Sequence, residues 1–323
     1  MKLSRRRVLH LAAGAVALPA VSRGAFAQTY PARPVRIVVP FPAGNASDIV
    51  ARLIGQRLSD GLGQSFVIDN RPGAGGNIGT EAVAKSPTDG YTLLLISPSA
   101  TTNPALYDKL NFNLIRDIAP VAGVGLAPYV LTVTPSFAAK TVPELIAYAR
   151  VNPGKINMAS SGVGSLSHMC GELFKAMAGI DMVHIPYRSS FLPDLFSGQV
   201  QIAFSPISQT IEYVRTAKLR ALAVTAAMRQ PMLQDTPTVA EFVPGYQASG
   251  WYGIGAPKNT AAEIVNSLNM EINVSLADPK MAAQLADIGA VPMPMTPAEL
   301  GKFIADETEK WGKVIRAANI KPE

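Results

Sequence analysis

The sequence predicts an α/β protein with two lobes, each built on a mostly parallel sheet, and two strands that cross between the lobes as a hinge. Three observations support this fold class. Short apolar runs alternate with amphipathic helical patterns from Pro34 onward, as in parallel sheets covered by helices. The alternation stops near the middle of the chain and then starts again. Two extended segments, "LAPYVLTVTP" and "ASGWYGIGAPKNT", flank the second half.

The first lobe begins with a βαβαβ pattern. "VRIVV" has the β-branched composition of a buried strand. The segments "SFVIDN", "NIGTEAVAKS" and "YTLLLIS" continue as strand, short helix and strand. Between the first two strands, "SDIVARLIGQRL" predicts a helix whose apolar face carries Ile49, Val50, Leu53, Ile54 and Leu58.

Residues 118–134 carry no charge, so a membrane span has to be considered. Pro120, Gly123, Gly125 and Pro128 interrupt this stretch and would break a helix. We therefore expect a pair of buried strands joined by a turn.

The second lobe repeats the alternation of strands and helices. Strands are predicted at "INMAS", "MVHIPY", "VQIAF" and "LRALAVT", and helices at "SLSHMCGELFKAMAG", "PDLFSGQ" and "SQTIEYVRTAK". Three C-terminal helices, at about 261–276, 279–288 and 297–318, are expected to cover the first lobe. The chain is accordingly divided into 28–127 (first part of lobe 1), 128–250 (lobe 2) and 251–323 (the return strand and the C-terminal part of lobe 1).

Residues 1–27 have the pattern of a cleavable export signal. They carry five basic and no acidic residues, followed by an apolar region at about 9–21 and an "AFA" cleavage signature ending at Ala27. "SRRRVLH" is similar to the twin-arginine export motif, and an arginine-rich Sec signal is the equal alternative. Either signal predicts a periplasmic protein that begins near Gln28.

Charge and cysteine content exclude several classes of function. The formal net charge is +6, but removing the five basic residues of the signal from the total of 29 leaves 24 against 23 acidic residues. A nearly neutral chain without a long basic run is not expected to bind nucleic acid. Cys170 is the single cysteine, so an intrachain disulfide and a cysteine-based zinc site are excluded. With no H-E-x-x-H spacing either, neither a metal nor a cofactor is expected.

Two loops have the chemistry of an anion-binding site. "PFPAGNASD" follows the first strand of lobe 1, and "ASSGVGSLSH" follows the first strand of lobe 2. Each combines glycine and small polar residues, and each opens a helix whose first N–H groups lack internal partners. Asn45, Ser47 and Ser165 could instead be simple helix N-caps. The equivalent positions of the two loops favour a ligand held between the lobes, because ligands of parallel sheets bind beyond the carboxyl ends of the strands.

Catalysis finds little support in the sequence. "RPGAGGNIG" fails the dinucleotide spacing G-x-G-x-x-G, since Ile78 stands where the third glycine belongs. Ser161 and His168 could be a nucleophile and its base, but there is no G-x-S-x-G elbow and no orienting carboxylate. We expect no enzyme, and a periplasmic hydrolase remains the minor alternative.

The same residues carry a resemblance to a known family. "FPAGNASDIVARLIGQRL", "VIDNRPGAGGNIGTEAVAKSPTDGYTLL", "SSGVGSLSHMCGELFKAMAGIDMVHIPYR", "LFSGQVQIAF", "AKLRALAVT" and "GWYGIGAPKNT" occur in fixed order. From about Tyr30 to the C-terminal helix, the chain resembles the substrate-binding proteins of tripartite tricarboxylate transporters, the Bug family. The resemblance implies a monomeric periplasmic binding protein of type II, with the Venus-flytrap architecture, which closes on a small carboxylate and delivers it to a permease of one large and one small subunit. A sensor that presents the loaded form to a signalling partner would have the same sequence signature.

The resemblance also implies which residues contact the ligand. It points to the two loops, to Asn45, where the family usually has a second glycine, and to Ser205, where the family usually has an aspartate. Loss of that carboxylate is expected to favour a ligand with a second negative group or a neutral tail over one with an ammonium. The ligand-binding residues are therefore expected to be Phe41, Pro42, Ala43, Gly44, Asn45, Ser47, Asp48, Ser160, Ser161, Gly162, Gly164, Ser165, His168 and Ser205.

Overall fold

The computed structural model describes residues 30–187 and 189–321, so the predicted export signal lies outside the described residues. The first half contains β1 (Val35–Val39), α1 (Ala46–Leu62), β2 (Phe66–Asn70), α2 (Asn77–Ala84), β3 (Thr92–Ile96), α3 (Pro98–Leu106), α4 (Leu114–Asp117) and β4 (Ile118–Val133). Next come α5 (Val142–Val151), β5 (Asn157–Ser160), α6 (Leu166–Ala178), β6 (Val183–Pro186), α7 (Leu192–Ser197), β7 (Ile202–Pro206), α8 (Ile207–Arg215) and β8 (Arg220–Val224). The chain ends with β9 (Ser249–Pro257), α9 (Ala262–Leu276), α10 (Pro279–Asp287), β10 (Val291–Pro292) and α11 (Pro297–Ala317).

The first lobe has the predicted parallel sheet. β1 pairs in parallel with β2 on one side and with β3 on the other. Val50, Ile54 and Leu58 of α1 are fully buried against this sheet, which confirms the predicted helix. Ile49 is 37% exposed, so its expected place on the core face was wrong.

The second lobe repeats this arrangement. β5 pairs in parallel with both β6 and β7. α6 buries Met169, Cys170 and Phe174 in the core of this lobe, where the thiol packs as a small apolar group. The two-lobe α/β fold is therefore confirmed.

One long strand connects the lobes. β4 pairs antiparallel with β9 from Ile118 to Pro128, and from Tyr129 onward it pairs antiparallel with β7 and β8. The expected strand pair with a turn was wrong, because Pro120 and Gly123 are absorbed as local shifts in the pairing with β9 and the strand continues for 16 residues. β4 and β9 are the crossing strands.

The C-terminal helix α11 packs on both lobes. Leu300 and Ile304 lie in a cluster with residues of β1 and β3, whereas Trp311 and Ile315 are buried in the core of the second lobe. α11 therefore extends beyond the first lobe that the C-terminal helices were expected to cover. The division at residues 127 and 250 remains a prediction. Within residues 30–187 and 189–321, no helix is long and apolar enough to cross a membrane.

Candidate ligand-binding site

A cavity of about 620 Å³ lies between the lobes, beyond the carboxyl ends of β1, β3, β5 and β7. The first turns of four helices reach its wall, two from each lobe. Among the described residues, none that lines the cavity has a charged side chain. The residues from these helix starts are Ala46 and Ser47 of α1, Pro98 and Ser99 of α3, Ser165 and Leu166 of α6, and Ser208 and Gln209 of α8.

The first loop, between β1 and α1, is fixed by Asp48. Its Oδ2 accepts hydrogen bonds of 2.9 Å from the Gly44 N–H and from Arg52 Nε, and its Oδ1 accepts one of 3.0 Å from Asn70 Nδ2. Burial opposes ionisation of this carboxyl, but the three hydrogen bonds outweigh it and keep the pKa of Asp48 below its usual value. Asp48 is only 3% exposed, so it shapes the loop from behind.

The second loop, between β5 and α6, is held by serines. Ser165 Oγ donates to the Gly162 carbonyl at 2.7 Å and accepts from the His168 N–H, which caps α6. Ser167 Oγ accepts from the Ser161 N–H at 2.9 Å. Gly162 and Gly164 have φ of +111° and +75°, a backbone conformation that glycine adopts without strain.

Two histidines stack beneath this second loop. The His168 and His184 rings are parallel within 8°, with centroids 3.6 Å apart. His168 Nδ1 accepts from the Gly164 N–H at 3.1 Å, and His184 Nε2 lies 2.5 Å from Ser160 Oγ. Burial, together with His168, lowers the pKa of His184 to about 4. His184 therefore supports the loop as a neutral ring at neutral pH.

The β3–α3 segment forms a third wall that the sequence analysis missed. Thr102, Asn103, Leu106 and Tyr107 line the cavity from α3 and the residue after it. Ser97 followed by Pro98 is a helix-start signal of the usual kind. Pro104 lies inside this helix, and because proline usually ends a helix, the sequence pattern did not predict one here. α5 was missed as well, although Thr141 caps it and Pro143 follows.

Apolar and aromatic side chains complete the wall. Tyr129 of β4 and Tyr252 of β9 enter from the crossing strands, and Phe41 and Ile288 line it from the first lobe. Trp251 also borders the cavity, but its side chain is fully buried and its ring meets Phe303 edge-on at 5.1 Å. The site thus surrounds an apolar volume with helix N-termini.

The structure places the predicted ligand residues in three groups. Phe41, Ser47, Gly164 and Ser165 line the cavity. Asn45, Asp48, Ser160 and His168 hold the loops through hydrogen bonds and do not line it. Pro42, Ala43, Gly44, Ser161 and Gly162 lie in the loops outside the cavity wall, and Ser205 is fully buried at the end of β7, next to Pro206, which does line the wall.

The hydrolase arrangement is not assembled. Ser161 is exposed, and His168 Nδ1 is engaged by the Gly164 N–H rather than by a serine hydroxyl. The close pair of serine and histidine is Ser160 with His184, and Ser160 is fully buried. In the described ranges, no three His, Cys, Asp or Glu side chains are grouped to hold a metal ion.

Comparisons with known proteins agree with this geometry. The family model "Tripartite tricarboxylate transporter family receptor" matches residues 50–320. Protein BugT of Bordetella pertussis is 38% identical over 311 residues, covering 95% of each chain. The structure of R. palustris Rpa4515 with adipate is 39% identical with a TM-score of 0.75, and the match covers 91% of this chain and 100% of that one. MatC from Rhodopseudomonas palustris with bound malate is 32% identical with a TM-score of 0.70, over 88% and 100% of the two chains. The chain therefore belongs to the tripartite tricarboxylate transporter receptor family, a family of solute-binding receptors.

Proposed function

We propose that this protein captures a small carboxylate in the periplasm and delivers it to a membrane permease of one large and one small subunit. The observation that carries the proposal is the cavity wall, where the first turns of α1, α3, α6 and α8 converge from both lobes. Free N–H groups and the positive ends of the helix dipoles attract anions without a basic side chain. The relatives solved with adipate and with malate support a carboxylate as the ligand class.

Binding is proposed to bring the lobes together without chemistry. A ligand shifts a protein toward a closed state only if it contacts that state better than the open one. A carboxylate held by the first turn of α1 from one lobe and by the first turn of α6 from the other would meet this condition. The permease would then recognise the closed, loaded receptor.

Thermal unfolding of residues 28–323 against a panel of ligands tests the proposal. The panel contains adipate, malate, aspartate, an aromatic acid and a neutral sugar. A ligand at a hundredfold excess over its Kd stabilises the folded state by about 2.7 kcal/mol, which raises Tm measurably. We expect shifts with acids and none with the sugar; no shift with any acid would contradict the proposed function.

Malate and aspartate make a matched pair within this panel. The described residues that line the cavity offer no carboxylate to pair with an ammonium group. Burying an ammonium without a partner is costly, so malate is expected to bind more tightly than aspartate. Tighter binding of aspartate would show that the cavity holds an ammonium partner.

Ser47→Ala tests whether the first turn of α1 contacts the ligand. Ser47 lines the cavity, and a hydrogen bond from its hydroxyl to a carboxylate is worth about 1.5–3 kcal/mol. We expect the Kd for the acid that binds best to rise roughly tenfold or more. Ser197→Ala, on the exposed surface of α7, is the control and should bind as the wild type does.

A further inference from the structure

We propose that Leu106, the last residue of α3, is a positioning residue that joins the two lobes at the wall of the cavity. This inference rests on the proposed function, because it assigns one residue of the same site to lobe closure. Leu106 belongs to a helix of the first lobe, yet its side chain packs against the hydrophobic core of the second lobe.

α3 is fixed to the first lobe by Asn103. The Asn103 side chain is 4% exposed, and its Nδ2 donates to the Gly75 carbonyl at 3.0 Å and to Asn77 Oδ1 at 2.7 Å. α3 also lies along α11, with Ala100 in the same cluster as Leu300 and Ile304. The helix therefore moves with the first lobe.

The end of α3 meets the ligand loop of the second lobe. Leu106 and Ala105 pack on the same cluster as Val163 of that loop and Leu166, the first residue of α6. At Gly164, a Cβ would lie 3.3 Å from Leu106 Cδ1, so the glycine leaves only enough space for the leucine methyl. The two lobes touch here directly, through a contact that separation of the lobes would break.

The position of Leu106 links this contact to the ligand. Its side chain lines the cavity, as do Gly164 and Ser165 of the opposing loop. A ligand with an apolar body would therefore touch Leu106 on one side while its carboxylate approaches the loop that Leu106 supports. The Leu106 side chain would then contact both the opposing lobe and the ligand. Because burial of apolar surface is favourable, this contact favours the closed state, which would bury the Leu106 side chain.

A double-mutant cycle on adipate binding tests the contact. Gly164→Ala introduces the Cβ that would crowd Leu106, and Leu106→Ala removes the crowded methyl groups. We expect Gly164→Ala to weaken binding less in the Leu106→Ala background, with a coupling of about threefold or more in Kd. If the fold-change in Kd of the double variant equals the product of the two single-variant fold-changes, the proposal is overturned.

Gly162→Ala controls for backbone strain in this cycle. Gly162 also has a positive φ, of +111°, but a Cβ there would meet only the Tyr187 carbonyl, at 3.9 Å. Gly162→Ala and Leu106→Ala are therefore expected to be additive.

A distance measurement tests closure without depending on the choice of ligand. Spin labels at Val67→Cys of β2 and Val183→Cys of β6 report on the two outer strands of the ten-stranded sheet, and both positions are exposed. The native Cys170 is fully buried and should stay unlabelled. Pulsed electron–electron double resonance then gives the distribution of distances between the two labels, with and without adipate.

Leu106→Ala should shift this distribution toward longer distances relative to the wild type. Leu53→Ala, a half-buried leucine of α1 outside the cavity, should not. The proposal is overturned if Leu106→Ala leaves the distribution as in the wild type, both with and without adipate. It is also overturned if the wild type itself shows only the longer distance between the labels. If no acid binds the wild type, the proposed function fails while the ligand-free sample still decides the role of Leu106.

Discussion

At the residue scale, several polar side chains of the two ligand loops act on the backbone rather than on the cavity. Asn45 caps α1, Asp48 holds the Gly44 N–H, and His168 holds the Gly164 N–H. Loops that present N–H groups to an anion must keep those groups in place before the anion arrives, because ordering them on binding would cost affinity. Buried polar side chains behind the loops supply that order.

Asp48→Ala should destabilise the protein by about 2 kcal/mol, the order of one charge-assisted hydrogen bond. The substitution leaves the Gly44 N–H without its acceptor, and it removes one of the two acceptors of Asn70 Nδ2, which also donates to the Phe41 carbonyl. Urea unfolding measures the change. Asp60→Ala on the exposed face of α1 is the control, and an equal loss there would show that the hydrogen bonds of Asp48 contribute nothing special.

His184 should make stability depend on pH. The folded-state pKa of His184 is about 4, below its ordinary value of 6.5, so between these values the unfolded chain binds a proton that the folded chain does not. The stabilising contribution is complete above pH 6.5 and is lost as the pH falls toward 4. Urea unfolding should show that the free energy of unfolding falls less between pH 7 and pH 4.5 for His184→Gln than for the wild type. An identical loss in the variant would assign the pH dependence to other groups.

At the scale of elements, helix starts and long-range strands define the site. α1 and α3 follow strands of the first lobe, and α6 and α8 follow strands of the second lobe that run in the opposite direction, so the four helices begin on facing sides of the cavity. β4 passes from one lobe to the other without a break, and α11 follows it on the outside with apolar residues for both lobes. β4 and α11 therefore both connect the lobes.

Trp311→Ala tests the contribution of α11 to the second lobe. Trp311 is fully buried, and its Nε1 donates to Glu307 Oε2 at 2.8 Å. Truncating a buried tryptophan leaves a cavity and typically costs about 3–5 kcal/mol. Urea unfolding should show this loss, and Lys313→Ala, at an exposed position two residues away, should change stability by less than about 0.5 kcal/mol. A loss below 1 kcal/mol for Trp311→Ala would mean that α11 does not support the second lobe.

At the scale of the whole molecule, as far as residues 30–187 and 189–321 describe it, the lobes share a ten-stranded sheet and enclose the cavity between them. The proposed closure would turn the lobes about the crossing strands β4 and β9, and the hydrogen bonds within each lobe would be kept. A carboxylate bound between helix starts of both lobes would hold the closed arrangement. The overall shape should therefore respond to the ligand.

Small-angle X-ray scattering should show a smaller radius of gyration when a binding acid is added. The neutral sugar of the panel is the control and should leave the scattering unchanged. An acid that raises Tm without changing the radius of gyration would bind without moving the lobes, which would contradict closure.

Much of the fold could be predicted because the signals are local. "VRIVV" is β-branched throughout, and Val50, Ile54 and Leu58 recur with the helical period, so β1 and α1 follow from neighbouring residues alone. Part of the site follows in the same way, because loops after parallel strands carry ligands. Pro104 and Pro120 argue locally against a helix and a continuous strand, yet both are tolerated because contacts elsewhere stabilise these elements.

The sequence by itself determined the α/β class, the two repeated halves, the two glycine-containing loops and the family to which the chain belongs. Tertiary structure alone decided that α3 and α8 join these loops, that β4 is continuous, and that Asp48 and His168 support the loops from behind. The physical reason is the distance along the chain over which each interaction acts. Periodicity and turn chemistry act over a few residues, whereas the contact of Leu106 with the core of the second lobe exists only after the two lobes have been brought together.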